Sequence, residues 1–366
     1  MVLHTAGRRG WHPRRLPSCN ENVAARRMLG GMQTDEVVLP TVHLAKHIGK
    51  DAGRRAERDH LRRVRPGAYV WVPADLTGWQ EERFLAFARC VAYGAQLRAD
   101  LTFSHESAAL LHGLPLWSYG NKTFVHQPYG WSGEGDPDLV RRSGHLADTD
   151  RETVQGLPVT SLERTVTDCA RVLHPRDALV VTDAALRRLA QVKRNDRDGS
   201  LDRMADVRAL LLERLEALGP ARGVVQARAV VAAANGLAES PGETVQRWIA
   251  VSHGLPEPDL QVPVRTRLGL FYLDGAWHGD GWKLGLEHDG AVKYGGDGAD
   301  AAVVVEQEKE REDAIREEGY PIMRTVAKDL VRVRETFARM CARLPAALVE
   351  QARPVPGLYL PPSYQR

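Results

Sequence analysis

The sequence predicts an α/β chain of several domains, and three observations carry that reading. A basic helix-and-hairpin pattern opens the folded part, helical periodicity fills residues 78–236, and a run of α-β-β-β-α-β-α elements follows. At 366 residues the chain exceeds one ordinary domain, and an apolar fraction of 43% suffices to bury sizeable cores. A net charge of +3 decides nothing about nucleic acid, so the distribution of charge must. Cys19, Cys90, Cys169 and Cys341 lie far apart with no C-x-x-C pair, which offers neither a zinc site nor a disulfide framework and fits a reducing cytoplasm. No apolar run reaches the roughly 18 residues that span a bilayer, so no membrane partner is expected.

Residues 1–34 read as a disordered basic arm. Six Arg oppose one Glu before residue 32, and no apolar stretch follows them as it would in a secretory signal. Residues 35–77 form the first folded unit. Pro40 suits a first helical turn, and Val42, Leu44, Ala45 and Ile48 make an apolar stripe ending at Gly49. Asp51 is placed to cap a second helix, Ala52 to Arg63, rich in arginine. Val64 to Val72 then reads as two short strands around Pro66-Gly67. Helix, basic helix and hairpin is the order of a winged helix-turn-helix. Arg54, Arg55, Arg58, Arg62, Arg63 and Arg65 are its candidate DNA contacts, since clustered guanidinium groups neutralise phosphates.

The middle unit, residues 78–236, reads as mostly helical α+β scaffold. Gln80 to Arg98 is amphipathic, Ser104 and Ser161 stand at helix starts, and Thr123 to Gln127 alternates as a strand. Helices follow at 175–190, 201–218 and 223–236, with a polar loop from Lys193 to Gly199. No phosphate-binding Gly loop and no nucleophile with its base stands out in residues 80–236, so no chemistry is assigned there.

Residues 237–345 carry the informative acids, and 346–366 read as a C-terminal tail. Ser240-Pro241 starts a helix with Glu243 in its first turn. Strands follow at 260–266, 270–277 and 282–288, then a charged helix at 306–318, a strand at 321–325 and a helix at 327–344. Asp274 lies late in the second strand, and Lys283, Gly285, Glu287 and Asp289 share one face of the third. Hard oxygen ligands of this kind suit Mg²⁺ or Mn²⁺, so Asp274 and Glu287 are the candidate metal ligands. Glu243 and Asp289 would complete a catalytic site, with Lys293 near the attacked phosphate.

Two resemblances accompany these readings. Asp59-His60-Leu61-Arg62-Arg63-Val64-Arg65-Pro66-Gly67-Ala68-Tyr69-Val70 resembles the winged helix of AbiEi-type antitoxins of type IV toxin–antitoxin systems. Ser104 to Pro115 and Leu157 to Thr165 are phrases of the same kind, extending the likeness over about residues 36–190. It implies a transcriptional regulator with a cognate toxin as partner. The α-β-β-β-α-β order, together with Glu239 to Glu243, Tyr272 to Trp277, Leu286 to Gly290, Glu308 to Ala314 and Gly319-Tyr320, resembles very-short-patch-repair endonucleases of the PD-(D/E)XK superfamily. It implies a restriction-endonuclease-like fold and divalent-metal-dependent cleavage of DNA. The superfamily's Lys, two residues after the strand acid, is Asp289 here. A usual His four residues later is Lys293, so Lys293 and Lys309 are the candidates for the displaced positive charge. Two functions follow: a DNA-binding endonuclease, or an antitoxin-like regulator whose nuclease fold no longer cuts.

Overall fold

The structure is a computed structural model that describes residues 37–48, 53–54, 61–76, 78–96, 101–130, 135–290 and 298–360, the side chains of 48 and 298–305 excepted. It is a mixed α/β chain with three sheets among these residues. The front sheet holds β1 (Val42–Leu44), then the single turn α1 (Ala45–Ile48), β2 (Leu61–Arg65) and β3 (Ala68–Trp71), in the antiparallel order β1-β3-β2. Val42–Leu44 is thus a strand, not part of a helix from Pro40. β3 offers a second edge, and Val42 pairs there with Val70, so sheet pairing overrides local helical periodicity. Arg62 and Arg63 likewise sit on β2 instead of ending a basic helix. The turn at Pro66-Gly67, where Gly67 takes φ 73°, lines Leu61 up with Trp71. Arg55 and Arg58 lie outside the described residues.

The middle unit comprises α2 (Trp79–Gln96), β4 (Thr102–Phe103), α3 (His105–Leu111), β5 (Thr123–Gln127), β6 (Leu139–Ser143), β7 (Arg151–Val154), β8 (Leu157–Thr160), α4 (Leu162–Val172), α5 (Pro175–Leu189), α6 (Arg197–Glu216) and α7 (Val224–Ala232). Its mixed sheet runs β6-β5-β4-β8-β7, of which the sequence reading names β5. Ser161 caps α4 by accepting the N–H of Arg164 at 3.3 Å. Ser104 does not cap α3 with its side chain; Ser107 instead accepts the N–H of Phe124 at 2.9 Å and ties the helix to β5. The polar loop is shorter than expected, because α6 begins at Arg197.

The last unit keeps the expected element order: α8 (Pro241–Ser252), β9 (Asp259–Thr266), β10 (Gly269–Gly279), β11 (Trp282–Asp289), α9 (Gly298–Glu317), β12 (Ile322–Val326), then α10 (Ala327–Val331) and α11 (Val333–Cys341), where one helix was expected, and α12 (Ala346–Gln351). The sheet order is β12-β11-β10-β9, parallel only between β11 and β12, which α9 connects. β9 is an edge strand, so Pro263 costs no ladder bond. Leu260, Trp277, Leu284, Leu286 and Met323 join the large core around α8, while Val262, Val264 and Leu273 pack on Ile315 of α9.

The middle helices and this last unit share a single hydrophobic core, from Ala109 through Leu179, Val230 and Trp248 to Leu358. Arg247 of α8 donates to both carboxylate oxygens of Asp183 of α5, at 2.9 and 2.7 Å, with both side chains fully buried. The segment read as a tail is docked: Trp248 donates its indole N–H to the Leu358 carbonyl at 3.1 Å, and Val355 N–H donates to Ser252 O at 2.9 Å. No helix among the described residues is long and apolar enough to cross a membrane.

Candidate functional site

Strand alternation fails at one row of the last sheet, and that row builds the site. Residues two apart on a strand share a face. Leu273 nevertheless packs toward α9, while a Cβ on Gly275 would meet Leu286 and Leu260 on the α8 side. On β9, Val262 and Leu260 divide the same way. The residues between, Asp274 and Gln261, are the row missing from the otherwise continuous β9–β10 pairing. Gln261 holds φ 50°, the left-handed region that costs a side chain about 1–2 kcal/mol. Strand β11 also parts from β10 here, since their pairing ends at Gly275 and Leu286. The Asp274 carboxylate fills the gap by accepting the N–H of His288 at 2.8 Å.

Helix α8 presents Glu243 to this kink. Ser240 caps the helix by accepting the Glu243 N–H at 3.2 Å, and Pro241 stands at its first turn. Gly242 permits the close approach, for a Cβ there would lie 2.0 Å from the His288 ring. The Glu243 carboxylate accepts the N–H of Glu239 at 2.8 Å and the amide of Gln261 at 3.3 Å. Burial and the nearby charge of Asp274 push the Glu243 carboxyl up to about 8. Burial raises Asp274 as well, against the opposing pull of the His288 N–H and Arg311. Glu287, 6% exposed, is raised by burial to about 7 although Arg311 and Arg324 draw it downward. Three carboxyls above their ordinary range, raised first by burial and then by one another through Asp274, mark an unusually desolvated acidic neighbourhood.

Two arginines that the sequence reading passed over face that crowd. Arg311 of α9 donates to Glu287 at 2.9 Å and to Glu308 at 3.3 Å. Arg324 of β12 lies 3.4 Å from Glu287, donates to Asp289 at 3.2 and 3.3 Å, to Glu308 at 2.8 Å and to Glu312 at 3.1 Å. Arg311 stands three residues after Glu308 on one helical face, and Arg324 follows buried Met323 on the parallel partner of β11. Spacing alone could have flagged the first. The second depended on a pairing between residues far apart in sequence.

The remaining predicted residues scatter. Asp289 is half exposed and paired to Arg324. Lys293 lies outside the described residues. Lys283 is engaged elsewhere, donating to the Glu318 carbonyl at 3.0 Å at the end of α9 and lying over the Tyr320 ring. Lys309 borders a separate shallow hollow between α9 and Arg324. In the front unit Arg62 pairs with Glu81, and Arg63 is exposed. Arg65 is spent internally, on Gln96 at 2.5 Å, Asp136 at 2.9 Å and the Tyr93 ring. Arg54 is exposed.

Asp274 and Glu287 are the oxygen donors a hard divalent cation prefers. Among the described residues no three His, Cys, Asp or Glu side chains stand close enough to enclose an ion. Asp274 is engaged by the His288 N–H and Glu287 by Arg311 and Arg324, so the two offer a cation oxygen donors beside arginines that already balance part of the charge, and no closed cage.

No family model matches the chain. An uncharacterized protein of Mycobacterium tuberculosis, from strain CDC 1551 / Oshkosh and again from strain ATCC 25618 / H37Rv, is 30% identical over 203 residues, 55% of this chain. That match spans 65% of the relatives' own length. Among solved structures, the RV2827C protein of Mycobacterium tuberculosis aligns with 61% of this chain and 84% of its own at 17% identity. The TM-score of that superposition is 0.28, too loose to place the two in one fold.

Proposed function

We propose that the chain is a DNA-binding protein whose last unit hydrolyses phosphodiester bonds with a divalent cation. The supporting observation is the kink at Asp274, which acts on Glu243 and on Glu287 in turn, with all three carboxyls above their ordinary range. Mg²⁺ or Mn²⁺ held by Asp274 and Glu287 would supply charge stabilisation and an activated water. Glu243 is held by the Gln261 amide and the Glu239 N–H and, with a carboxyl near neutrality, is suited to hold a proton beside Asp274. Arg311 and Arg324 take the place of the displaced lysine as positive groups beside a scissile phosphate, and Asp289 orients Arg324. The front hairpin, with Arg62 and Arg63 exposed on β2 and Arg54 nearby in sequence, would deliver the winged-helix contact to duplex backbone. The test is nicking of supercoiled plasmid with Mg²⁺ or Mn²⁺ by wild type, Asp274→Ala and Glu287→Ala. No cleavage of duplex, mismatched or single-stranded DNA by wild type rejects the reading.

One observation favours a second reading. Arg324 is saturated by four carboxylates and Glu287 is held by two arginines. Such a network closes a nuclease-like site and fits an antitoxin-like regulator with a toxin partner. That reading expects promoter binding to survive Asp274→Ala, and a nucleotidyltransferase-like toxin gene beside this one.

A further inference from the structure

The row that kinks toward Glu243 also opens, on the other side of Gln261, into a cavity of about 110 Å³ between the middle and last units. Arg187 at the end of α5, Arg194 in the loop after it, Arg197 at the start of α6, and Gln261, Pro263 and Tyr272 of the sheet line it. Arg194 lies 4.8 Å from the Tyr272 ring centre and donates to Gln261 at 3.2 Å. Arg197 donates to the Leu260 carbonyl at 2.5 Å, which fixes its guanidinium against β9. Three guanidinium groups therefore converge beside the buried, left-handed Gln261 of the last unit, and one acid, Glu239, stands among them. Glu239 accepts from Arg187 at 3.2 Å and from Arg194 at 2.6 Å. Its backbone N–H is the group that holds Glu243.

We propose that this cavity binds a phosphate of a nucleic-acid strand, with Glu239 as the internal carboxylate that the phosphate displaces from Arg187 and Arg194. The cavity is of a size to take one phosphate group and not a nucleoside, so the sugar and base stay outside. Tyr272 at the rim offers a ring for the neighbouring base, as aromatic platforms do in strand-binding clefts. A planar fork is the donor that suits phosphate, and among the described residues no lysine lines the wall. Because Gln261 bridges Arg194 and Glu243, the bound strand would be led from this subsite to the carboxylate kink. This placement rests on the hydrolytic reading for its purpose, although binding itself does not need cleavage.

The experiment measures binding of a fluorescently labelled single-stranded oligodeoxynucleotide to the full chain in EDTA, where no divalent-dependent cleavage proceeds. Arg194→Ala is expected to weaken binding about tenfold and to flatten the salt dependence by about 0.7 in log–log slope, the loss of one phosphate contact. Glu239→Gln, which removes the competing charge, is expected to tighten binding severalfold. Unchanged binding in both variants overturns the proposal, and so does Arg194→Ala weakening that leaves the salt slope intact. Inorganic phosphate competing at millimolar concentration while no oligonucleotide binds overturns the nucleic-acid assignment. A wild-type chain that never cuts DNA but loses its oligonucleotide with Arg194→Ala upholds the subsite and sinks only the hydrolytic reading.

Discussion

Two clusters of charge, joined by helix α8, meet opposite fates in this molecule. Arg247 and Asp183 are buried to within 1% exposure: the Asn235 N–H and the Thr244 hydroxyl donate to Asp183, and Arg247 donates to Glu257 and the Ala233 carbonyl, its Nε alone of the guanidinium nitrogens lacking a partner among the described residues. One turn earlier on the same helix, Glu243 lies beside Asp274, where burial first and the like charge second push its carboxyl up to about 8, and Asp274 acts in the same sense on the buried Glu287. Both clusters pay desolvation. Burial raises the Asp183 carboxyl as well, but it meets a buried guanidinium in a two-oxygen pair, whereas Glu243 has the like charge of Asp274 for a neighbour. That contrast separates a structural ion pair from the candidate site.

The comparison can be broken most forcefully at the closed cluster. Asp183→Ala leaves the Arg247 guanidinium buried without its partner and should cost about 3–5 kcal/mol, read as a large drop in the denaturation midpoint. A loss below about 1 kcal/mol would remove the distinction drawn here. At the open cluster the expected change is in activity: Asp274→Ala and Glu287→Ala should each reduce divalent-dependent nicking on the order of 100-fold. Their stability should stay near wild type or rise slightly at pH 8. A third test uses protons. Glu243 near 8 and Glu287 near 7 lie above the ordinary carboxyl value of 4.5, so the folded chain keeps protons that the unfolded chain releases. Their stabilising contribution is complete below about pH 4.5 and disappears as pH rises through 7 to 8. Thermal midpoints should fall over that window, and Glu243→Gln should flatten the decline while keeping the acceptor for the Glu239 N–H. An identical pH slope in the variant would show that Glu243 is not titrating there. The smallest effect belongs to the front hairpin, away from both clusters. Arg63→Ala should lower duplex affinity a few-fold and reduce the salt slope by about 0.9, with nicking per bound complex unchanged.

Much of the last unit was legible because its signals are local. Alternation in β9, β10 and β11, the turn residues between them and the Ser240-Pro241 helix start give the element order without reference to distant chain. Asp274 and Glu287 were found the same way. Arg324 and Gln261 were not, since one acts through the parallel pairing of β11 with β12 and the other through a backbone angle that no side-chain pattern encodes. The front unit misled for the opposite reason. Val42–Leu44 and Leu61–Arg63 carry helical spacing, yet both pair with β3, and a hairpin edge outweighed a few tenths of a kcal/mol per residue of helix propensity. Ser104 stands at the N-cap as its sequence position suggests, yet its hydroxyl makes no capping bond and lies 3.0 Å from His105 Nδ1, while Ser107 ties the helix to Phe124.

The core shared by the middle helices and the last sheet has a consequence for how the chain is made. Asp183 finds Arg247 only 64 residues later, and Trp248 waits a further 110 residues for the Leu358 carbonyl. During synthesis the helices around Leu179 and Val230 therefore leave the ribosome with their inner faces uncovered, while the front sheet has all its strands by Trp71. Long-range closures of this kind slow folding and prolong the exposure of apolar surface. Stalled or truncated nascent chains ending before Leu358 should accordingly bind chaperones and yield to proteases, and the front unit should outlast the rest.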